Sequence, residues 1–329
     1  MQTRKNIWQD LKNKGRPIRI LAPMEDVTDH PFRLLISSLA PPDLFFTEFM
    51  SVEGYDSLDG RSRVARRLVK NDQDSPIIAQ IWGLDEGAFY RTAQDLSKMG
   101  FDGIDLNLGC PIKKIIKKGA CSGMIGSSDK VRSIIDSIRS GAPHLPISIK
   151  TRIGIDDYSL SDWISFLPTL DIDAVTLHLR TQKQLSIGPA HWEYMSEIVS
   201  TMKKINPNLI IIGNGDIYSV KHLDNLALEN GMDGGMIGRA VFLNPFIFSS
   251  NPERWQSFSG TERLKILIKH VDLYDQVYSN SQGSGGWNRL KRFFKIYIND
   301  FAGAAEIRSE LMKTNNTDDF KRLLKKIKI

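Results

Sequence analysis

The sequence predicts an α/β fold: a (β/α)8 TIM barrel followed by a small all-helical C-terminal domain. Two observations carry this. Eight short β-rich runs alternate with amphipathic helical stretches up to about Arg239, and past Asn244-Pro245 the strand signal stops. A strand followed by a helix implies parallel pairing, because a parallel neighbour needs a crossover. Eight such units in about 240 residues match the size of a barrel. A doubly wound sheet is the alternative, but it would normally carry GxGxxG after its first strand, and none stands there. The expected boundaries are 1–245 for the barrel, 246–260 for a linker and 261–329 for the helical domain.

The strands read as 18–22, 44–48, 76–81, 103–108, 146–150, 174–178, 209–213 and 234–238, with helices such as 87–99, 130–140, 192–205 and 220–230 between them. The ends of these strands are polar or glycine-containing. Ala22-Pro23-Met24 follows the first, Glu48 ends the second and Gln80 closes the third. Asn107 and Cys110 close the fourth, Lys150 and Arg152 the fifth, His178 and Arg180 the sixth. Asn214-Gly215-Asp216 and Gly238-Arg239 follow the last two. One polar residue at a strand end is ordinary packing. Eight on one rim mark the face where barrel enzymes keep their chemistry.

The stretch from Asp102 to Met124 is the most distinctive. An alternating strand breaks at Gly109-Cys110-Pro111, and a lysine-rich loop follows with Lys113, Lys114, Lys117 and Lys118. Proline cannot donate to a ladder and glycine tolerates unusual dihedrals, so the strand must end there. Cys110 is then either a rim thiol or a small buried hydrophobe, and the motif alone leaves both open. Glycine turns after the last two strands suit a phosphate, with backbone N–H groups of Gly215 and Gly238 as donors and Arg239 adding charge. With Lys150 facing the same cavity, a phosphorylated aromatic cofactor such as FMN fits.

Composition is that of an ordinary soluble globule, 41% hydrophobic and 25% charged. Two cysteines eleven apart form neither a zinc spacing nor a disulfide framework, so no metal is expected and a reducing compartment is. The polar start MQTRKNIWQDLKNKG lacks a signal peptide's apolar centre, and no run of about 18 apolar residues is present. A cytoplasmic protein without membrane contact is expected. The net charge of +6 is unevenly placed: from Arg254 onward 15 Lys+Arg face 8 Asp+Glu, against 29 and 30 in the rest. A basic helical tail with aromatics and exposed Arg289, Lys291, Arg292 and Lys295 suits a polyanion.

At the rims the chain is identified as similar to a known family. LAPMEDVTDHPFR, TEFMSVEG, AQIWG, DLNLGCPIKKIIKKGACSGM, IKTRIG, LHLRT, IGNGDI and MIGRA together resemble the transfer RNA dihydrouridine synthases, and RFFKIYINDFAGAAEIRSELM resembles their C-terminal helical domain. KKxxKKGA is similar to the bacterial B-type subgroup. The resemblance implies an FMN enzyme that reduces the C5–C6 double bond of particular uridines in tRNA, with NADPH as electron source. FMN would be held by Ala22, Pro23, Met24, Gln80, Lys150, His178, Asn214, Gly215, Asp216, Gly238 and Arg239. Cys110 would be the catalytic acid, and Asn107 and Arg152 would face the uracil. Arg180, the four loop lysines, Arg289 and Arg292 would meet the RNA. No obligate protein partner is implied, and a monomer is expected.

The residue types suit that chemistry. Hydride added at C6 leaves an enolate that needs a proton at C5. An unperturbed thiol, with a pKa of about 8.5, is mostly protonated at neutral pH and can donate it. Lys150 near the flavin's N1–C2 edge would favour the reduced form. The uridine must be flipped out of folded RNA, and the basic residues would offset that cost. Leu179 stands where many relatives have glycine. So does Cys121, which reads as a small packing residue. A flavin barrel reducing a free metabolite, as dihydroorotate dehydrogenases do, is the alternative reading, but it has no use for the basic tail.

Overall fold

The computed structural model describes residues 6–156, 162–278 and 285–326. It forms two compact units: one of 1–25 with 42–238, the other of 26–41 with 239–329. The first unit is a parallel barrel. Its strands are β1 (Ile18–Leu21), β2 (Phe45–Phe46), β3 (Met50–Ser51), β4 (Ile77–Trp82), β5 (Gly103–Leu108), β6 (Ile147–Arg152), β7 (Ala174–His178), β8 (Ile210–Asn214) and β9 (Gly234–Ile237). Each pairs in parallel with its neighbour, in the order β1-β9-β8-β7-β6-β5-β4-β2, with β3 also on β4. Closure comes from a bridge between Ile20 and Leu44 and from Asp43 N–H donating to the Arg19 carbonyl at 2.8 Å.

The single second strand expected at 44–48 is two short ones, β2 and β3, that share one barrel position against β4. Thr47 explains the break. Its hydroxyl accepts the Gln80 N–H at 3.0 Å and donates to the Glu48 carbonyl at 2.9 Å, so a side chain replaces a rung of the backbone ladder.

At the opposite end an aspartate recurs. Asp43, Asp102, Asp173 and Asp233 stand just before β2, β5, β7 and β9. Their carboxylates accept the N–H of Arg19, Ile77, Ile147 and Ile211, the first or second residue of the neighbouring strand, at 2.8–3.0 Å. Each satisfies a donor that the sheet leaves unpaired.

The barrel's lower interior is apolar, filled by Ile18, Ile20, Leu44, Phe46, Ile78, Ala174, Ile210, Ile212 and Met236. A helix at Ile7–Lys12, in a segment read above only as polar, plugs that end. Trp8 and Leu11 enter the same cluster, and Trp8 lies 6.3 Å from Phe46 between ring centroids. Asn6 Nδ2 donates to Asp173 at 2.8 Å and Lys12 pairs with Asp233 at 3.0 Å, which ties the plug to two of the capping carboxylates. Outer helices such as Glu86–Lys98 and Ser128–Gly141 bury one stripe each, Ala88, Phe89, Ala93 and Leu96 in the first, Val131, Ile134, Ile135 and Ile138 in the second.

The second unit is helical, and its C-terminal part begins at Arg239. The residues expected as a linker, 246–260, lie inside it and carry a helical turn at Arg254–Ser257. It also takes in the His30–Leu39 helix, which a regular barrel would keep as its first outer helix. Phe32 of that helix packs 5.1 Å from Phe293 and 5.7 Å from His270 of the Gly260–Tyr278 helix. Burial holds His270 neutral, with its pKa lowered to about 3, and Tyr297 shares a 2.9 Å hydrogen bond with its Nδ1. Trp287, Phe294 and Phe320 form a second aromatic group. The sequence SNSQGSGG at 279–286, rich in serine and glycine and so expected to form a turn, lies mostly outside the described residues.

Trp8 fills the barrel floor, so Trp8→Ala leaves a cavity that short strands cannot close. We expect a loss of roughly 3–5 kcal/mol of stability, read as a lowered urea midpoint with the m-value unchanged.

Candidate active site

Strand register brings the rim residues together. Asn107 lies beside Lys150, Arg152 beside His178, and His178 beside Asn214. Side chains alternate along a strand, so Asp105 and Asn107 on β5 share a face, as do Ser148, Lys150 and Arg152 on β6.

Below the rim lies a polar chain. Asp105 is fully buried, with Ser148 Oγ donating to it at 2.6 Å and Gln80 Nε2 at 2.7 Å. Burial raises its carboxyl to about pKa 6 against the pull of those two donors and of Lys150. Gln80 Oε1 then accepts Asn107 Nδ2 at 2.9 Å. Asn107 Oδ1 takes the N–H groups of both Gly109 and Cys110, each at 3.0 Å. The carboxamide thus ends the strand and fixes the turn that carries the thiol.

Cys110 is buried, and its carbonyl accepts Ser122 Oγ at 2.8 Å. Its thiol is not the unperturbed one expected above. The neighbouring Cys121 thiol lowers its pKa to about 7, helped by the Ile112 N–H and the field of Arg152, against burial and Glu25. Cys121, expected to be a small packing residue, is fully buried, sits at φ +52° in the left-handed region, and has its own thiol pushed far up by Cys110 and by burial. Gln182 Nε2 holds the adjoining Ser122 carbonyl at 2.7 Å.

The cations divide into two kinds. Lys150 is half-buried, 3.2 Å from Asn214 Oδ1, and desolvation with Arg152 nearby lowers it to about 8. Arg152 Nε holds the Gly109 carbonyl at 2.8 Å, and its Nη1 holds those of Thr181 and Leu185 at 2.9 and 2.7 Å. It braces three loops around the thiol. Arg180, expected at the RNA, is only 2% exposed and donates to Gly188 O, to Asp216 at 2.5 Å and to His178 Nε2 at 3.2 Å. That placement makes it a fastener of the rim. Asp216 also accepts the Ala190 N–H at 2.9 Å.

Asn214 Nδ2 donates to the Met236 carbonyl at 2.7 Å, which aims its oxygen at Lys150. Gly215 has φ +124°; a Cβ there would lie 2.8 Å from that of Ala190 and 3.3 Å from His178 Cδ2. The Gly215 carbonyl accepts Trp192 Nε1 at 2.9 Å. Ala22 donates its N–H to Ile237 O at 2.8 Å, while a Cβ at Gly238 would meet only Ala22 and Met24, at 3.6 and 3.8 Å. Ala22, Met24 and Gly238 thus lie together at the C-terminal ends of β1 and β9. A half-buried ammonium, two oriented amides and a glycine turn form a donor set suited to an anionic heterocycle.

Lys113, Lys114, Lys117 and Lys118 are exposed on a short helix, Lys113–Ile116, and the turn after it. In the helical unit Arg239 opens a 3-10 turn, and Arg289 and Arg292 both face Asp26, at 3.7 and 3.6 Å. There a cavity of about 630 Å3 is lined by Lys291, Arg292, Lys295 and Arg308. Sequence reasoning missed Asp105, Ser148, Thr47, Ser122 and Gln182. The one available signal was that Asp105 and Ser148 sit two positions before Asn107 and Lys150.

A parallel barrel with a thiol, buried cations and oriented amides on its C-terminal rim defines an α/β-barrel enzyme. The chain belongs to the dihydrouridine synthase (Dus) family, whose sequence profile matches residues 20–329. A probable tRNA-dihydrouridine synthase of Staphylococcus aureus (strain COL) is 40% identical over 324 residues, 98% of this chain and 95% of that protein. The probable tRNA-dihydrouridine synthase 2 of Bacillus subtilis (strain 168) is 38% identical over 320 residues, 97% and 95% of the two chains. The fold is shared with 2-naphthoyl-CoA reductase in complex with 2-naphthoyl-CoA, at TM-score 0.53 and 10% identity, covering 73% of this chain and 50% of that one. Among the described residues no helix is long and apolar enough to cross a membrane.

Gly215→Ala forces a left-handed alanine against Ala190 and His178. We expect it to cost about 2 kcal/mol or more, seen as a lower melting temperature, and to reduce flavin content in the purified protein.

Proposed function

We propose that the protein is a tRNA-dihydrouridine synthase: an FMN oxidoreductase that takes electrons from NADPH and saturates the C5–C6 bond of uridines in transfer RNA. The observation that carries this reading is Cys110, held by Asn107 at the strand end between the fields of Lys150 and Arg152, in a chain of the dihydrouridine synthase family. FMN, held by the rim residues of the barrel, would supply the hydride that adds to C6 of the uracil. The protein's residues do the rest.

Lys150, Asn214, Gln80 and His178 bind and orient the heterocycle, and Gly215 with the Ala22 and Gly238 backbones gives it room. The ammonium of Lys150 stabilises negative charge on the bound ring. Cys110 Sγ gives its proton to C5, and Arg152 lies close enough to stabilise the sulfur as charge develops. With a pKa near 7, the thiol sits where a general acid combines adequate protonation with ready donation. The exposed lysines 113, 114, 117 and 118 and the basic cavity of the helical unit contact RNA phosphates, whose interaction with Lys and Arg dominates affinity for nucleic acid. The barrel unit is the catalytic domain and the helical unit the RNA-binding one.

Cys110→Ala is expected to lower dihydrouridine formation at least about 100-fold, measured by mass spectrometry of tRNA incubated with enzyme and NADPH. Flavin content and tRNA binding should stay near wild type. Undiminished product would refute the acid assignment, and a protein that takes up no flavin would refute the whole reading.

Lys150 carries its charge below about pH 8 and loses it above. Flavin affinity should therefore weaken as pH rises through that value, by fluorescence titration. Lys150→Met should bind weakly at every pH and lose the dependence.

A further inference from the structure

We propose that Ile112, Ile155, Leu185 and Ile187 form an aliphatic collar on the barrel rim that receives unstacked bases of the RNA, with Ile187 as the wedge that fills the place left by the flipped uridine. This deepens the reading of the protein as a tRNA-dihydrouridine synthase and rests on it.

All four side chains are exposed, Ile187 by 74%. A single surface aliphatic needs no explanation. These four stand on the loops that follow β5, β6 and β7, and those loops are bound to one another around Cys110. Ile112 is two residues past the thiol. The Arg152 guanidinium holds the Gly109 carbonyl at 2.8 Å and the Leu185 carbonyl at 2.7 Å. The N–H groups of Gln182 and Lys183 donate to the carbonyls of Gly154 and Ile155 at 2.9 and 3.0 Å. Gln182 Nε2 reaches the Ser122 carbonyl at 2.7 Å, and Ser122 Oγ in turn holds the Cys110 carbonyl at 2.8 Å.

The backbone under Ile187 is braced on both sides. Its own N–H donates to the Gln184 carbonyl at 2.8 Å, and the Gly188 carbonyl accepts Arg180 Nη2 at 2.6 Å. Ala190 N–H donates to Asp216 at 2.9 Å. Leu185 has φ +55°, a conformation that costs a side chain energy, and the bond from Arg152 to its carbonyl helps to hold it there. A branched aliphatic on a fixed backbone resists being pushed aside, as a wedge between bases must.

The neighbouring charge selects the partner. The helix that begins just past Ile112 carries Lys113 and Lys114, with Lys117 and Lys118 after it, all exposed. Apolar surface beside a run of cations matches a strand whose bases have left the stack, with phosphates on the lysines and base faces on the aliphatics. A uridine that reaches Cys110 leaves a gap among its neighbours, and an apolar side chain in that gap offsets the lost stacking.

Ile187→Ser and the double variant with Ile155→Ser test this, with Ile187→Leu as the conservative control. These residues are exposed, so melting temperature and flavin content should not move. The probe is a tRNA transcript carrying 2-aminopurine, which brightens when it unstacks, beside the uridine that the wild type reduces, located by mass spectrometry. We expect brightening on binding to the wild type and to Ile187→Leu, and little with Ile187→Ser. The kcat/KM for dihydrouridine formation should fall about 10-fold or more in Ile187→Ser and further in the double variant. The salt dependence of tRNA binding should keep its wild-type slope, because no phosphate contact is lost. Wild-type brightening and turnover in the double variant would overturn the collar and leave the synthase reading intact, as would a loss of binding with a shallower salt slope. A wild type that forms dihydrouridine in no tRNA would overturn the synthase reading, and the collar with it.

Discussion

The site depends on which way one amide points. Asp105 is buried among strands and accepts hydrogen bonds from Ser148 and from Gln80. Because Gln80 must offer its Nε2 to a carboxylate, its Oε1 has to face Asn107, and Asn107 must answer with Nδ2. That leaves Asn107 Oδ1 directed at the two N–H groups of the Gly109-Cys110 turn. Donor and acceptor polarity is passed from the barrel interior to the Gly109-Cys110 turn, and no member can flip without orphaning a buried group. Asn214 does the same on the opposite side, donating to Met236 so that its oxygen meets Lys150.

The buried cations show a division of labour that charge alone would not reveal. Arg152 and Arg180 are occupied by backbone carbonyls, and Arg180 also by Asp216. A planar guanidinium can hold several loops at once, which an ammonium cannot. Among the described residues Lys150 has one short side-chain partner, Asn214, and desolvation with Arg152 nearby lowers its pKa, which records how costly its charge is there.

Much of this was legible in the sequence, for a definite reason. Parallel barrel strands are short and all end on the same face, so the strand ends at Gln80, Asn107, Lys150, His178 and Asn214 stand out as polar punctuation after apolar runs. The recurring aspartate before β2, β5, β7 and β9 could also have been read, since it caps the first donors of the neighbouring strand. Asp105 and Ser148 were signalled only by their place two positions before Asn107 and Lys150. In an alternating strand they look like solvent-facing residues, and only closure of the sheet turns that face inward. The plug at Ile7–Lys12 hid behind its charges, because two side chains, Trp8 and Leu11, carry its buried face. The His30–Leu39 helix joined the helical unit through Phe32, a tertiary contact with no local signature.

Cys110 stands under opposed influences. The Cys121 thiol, the Ile112 N–H and the field of Arg152 favour its thiolate, against burial and Glu25. A thiol with an ordinary pKa is well protonated but reluctant to release its proton, and burial alone makes it more so. Arg152 counters that burial from a fixed position, because its guanidinium is already held by three backbone carbonyls. Together with burial, the same charge lowers Lys150 two residues away on β6. Support for the sulfur and retention of the ammonium's charge therefore pull against each other along one strand.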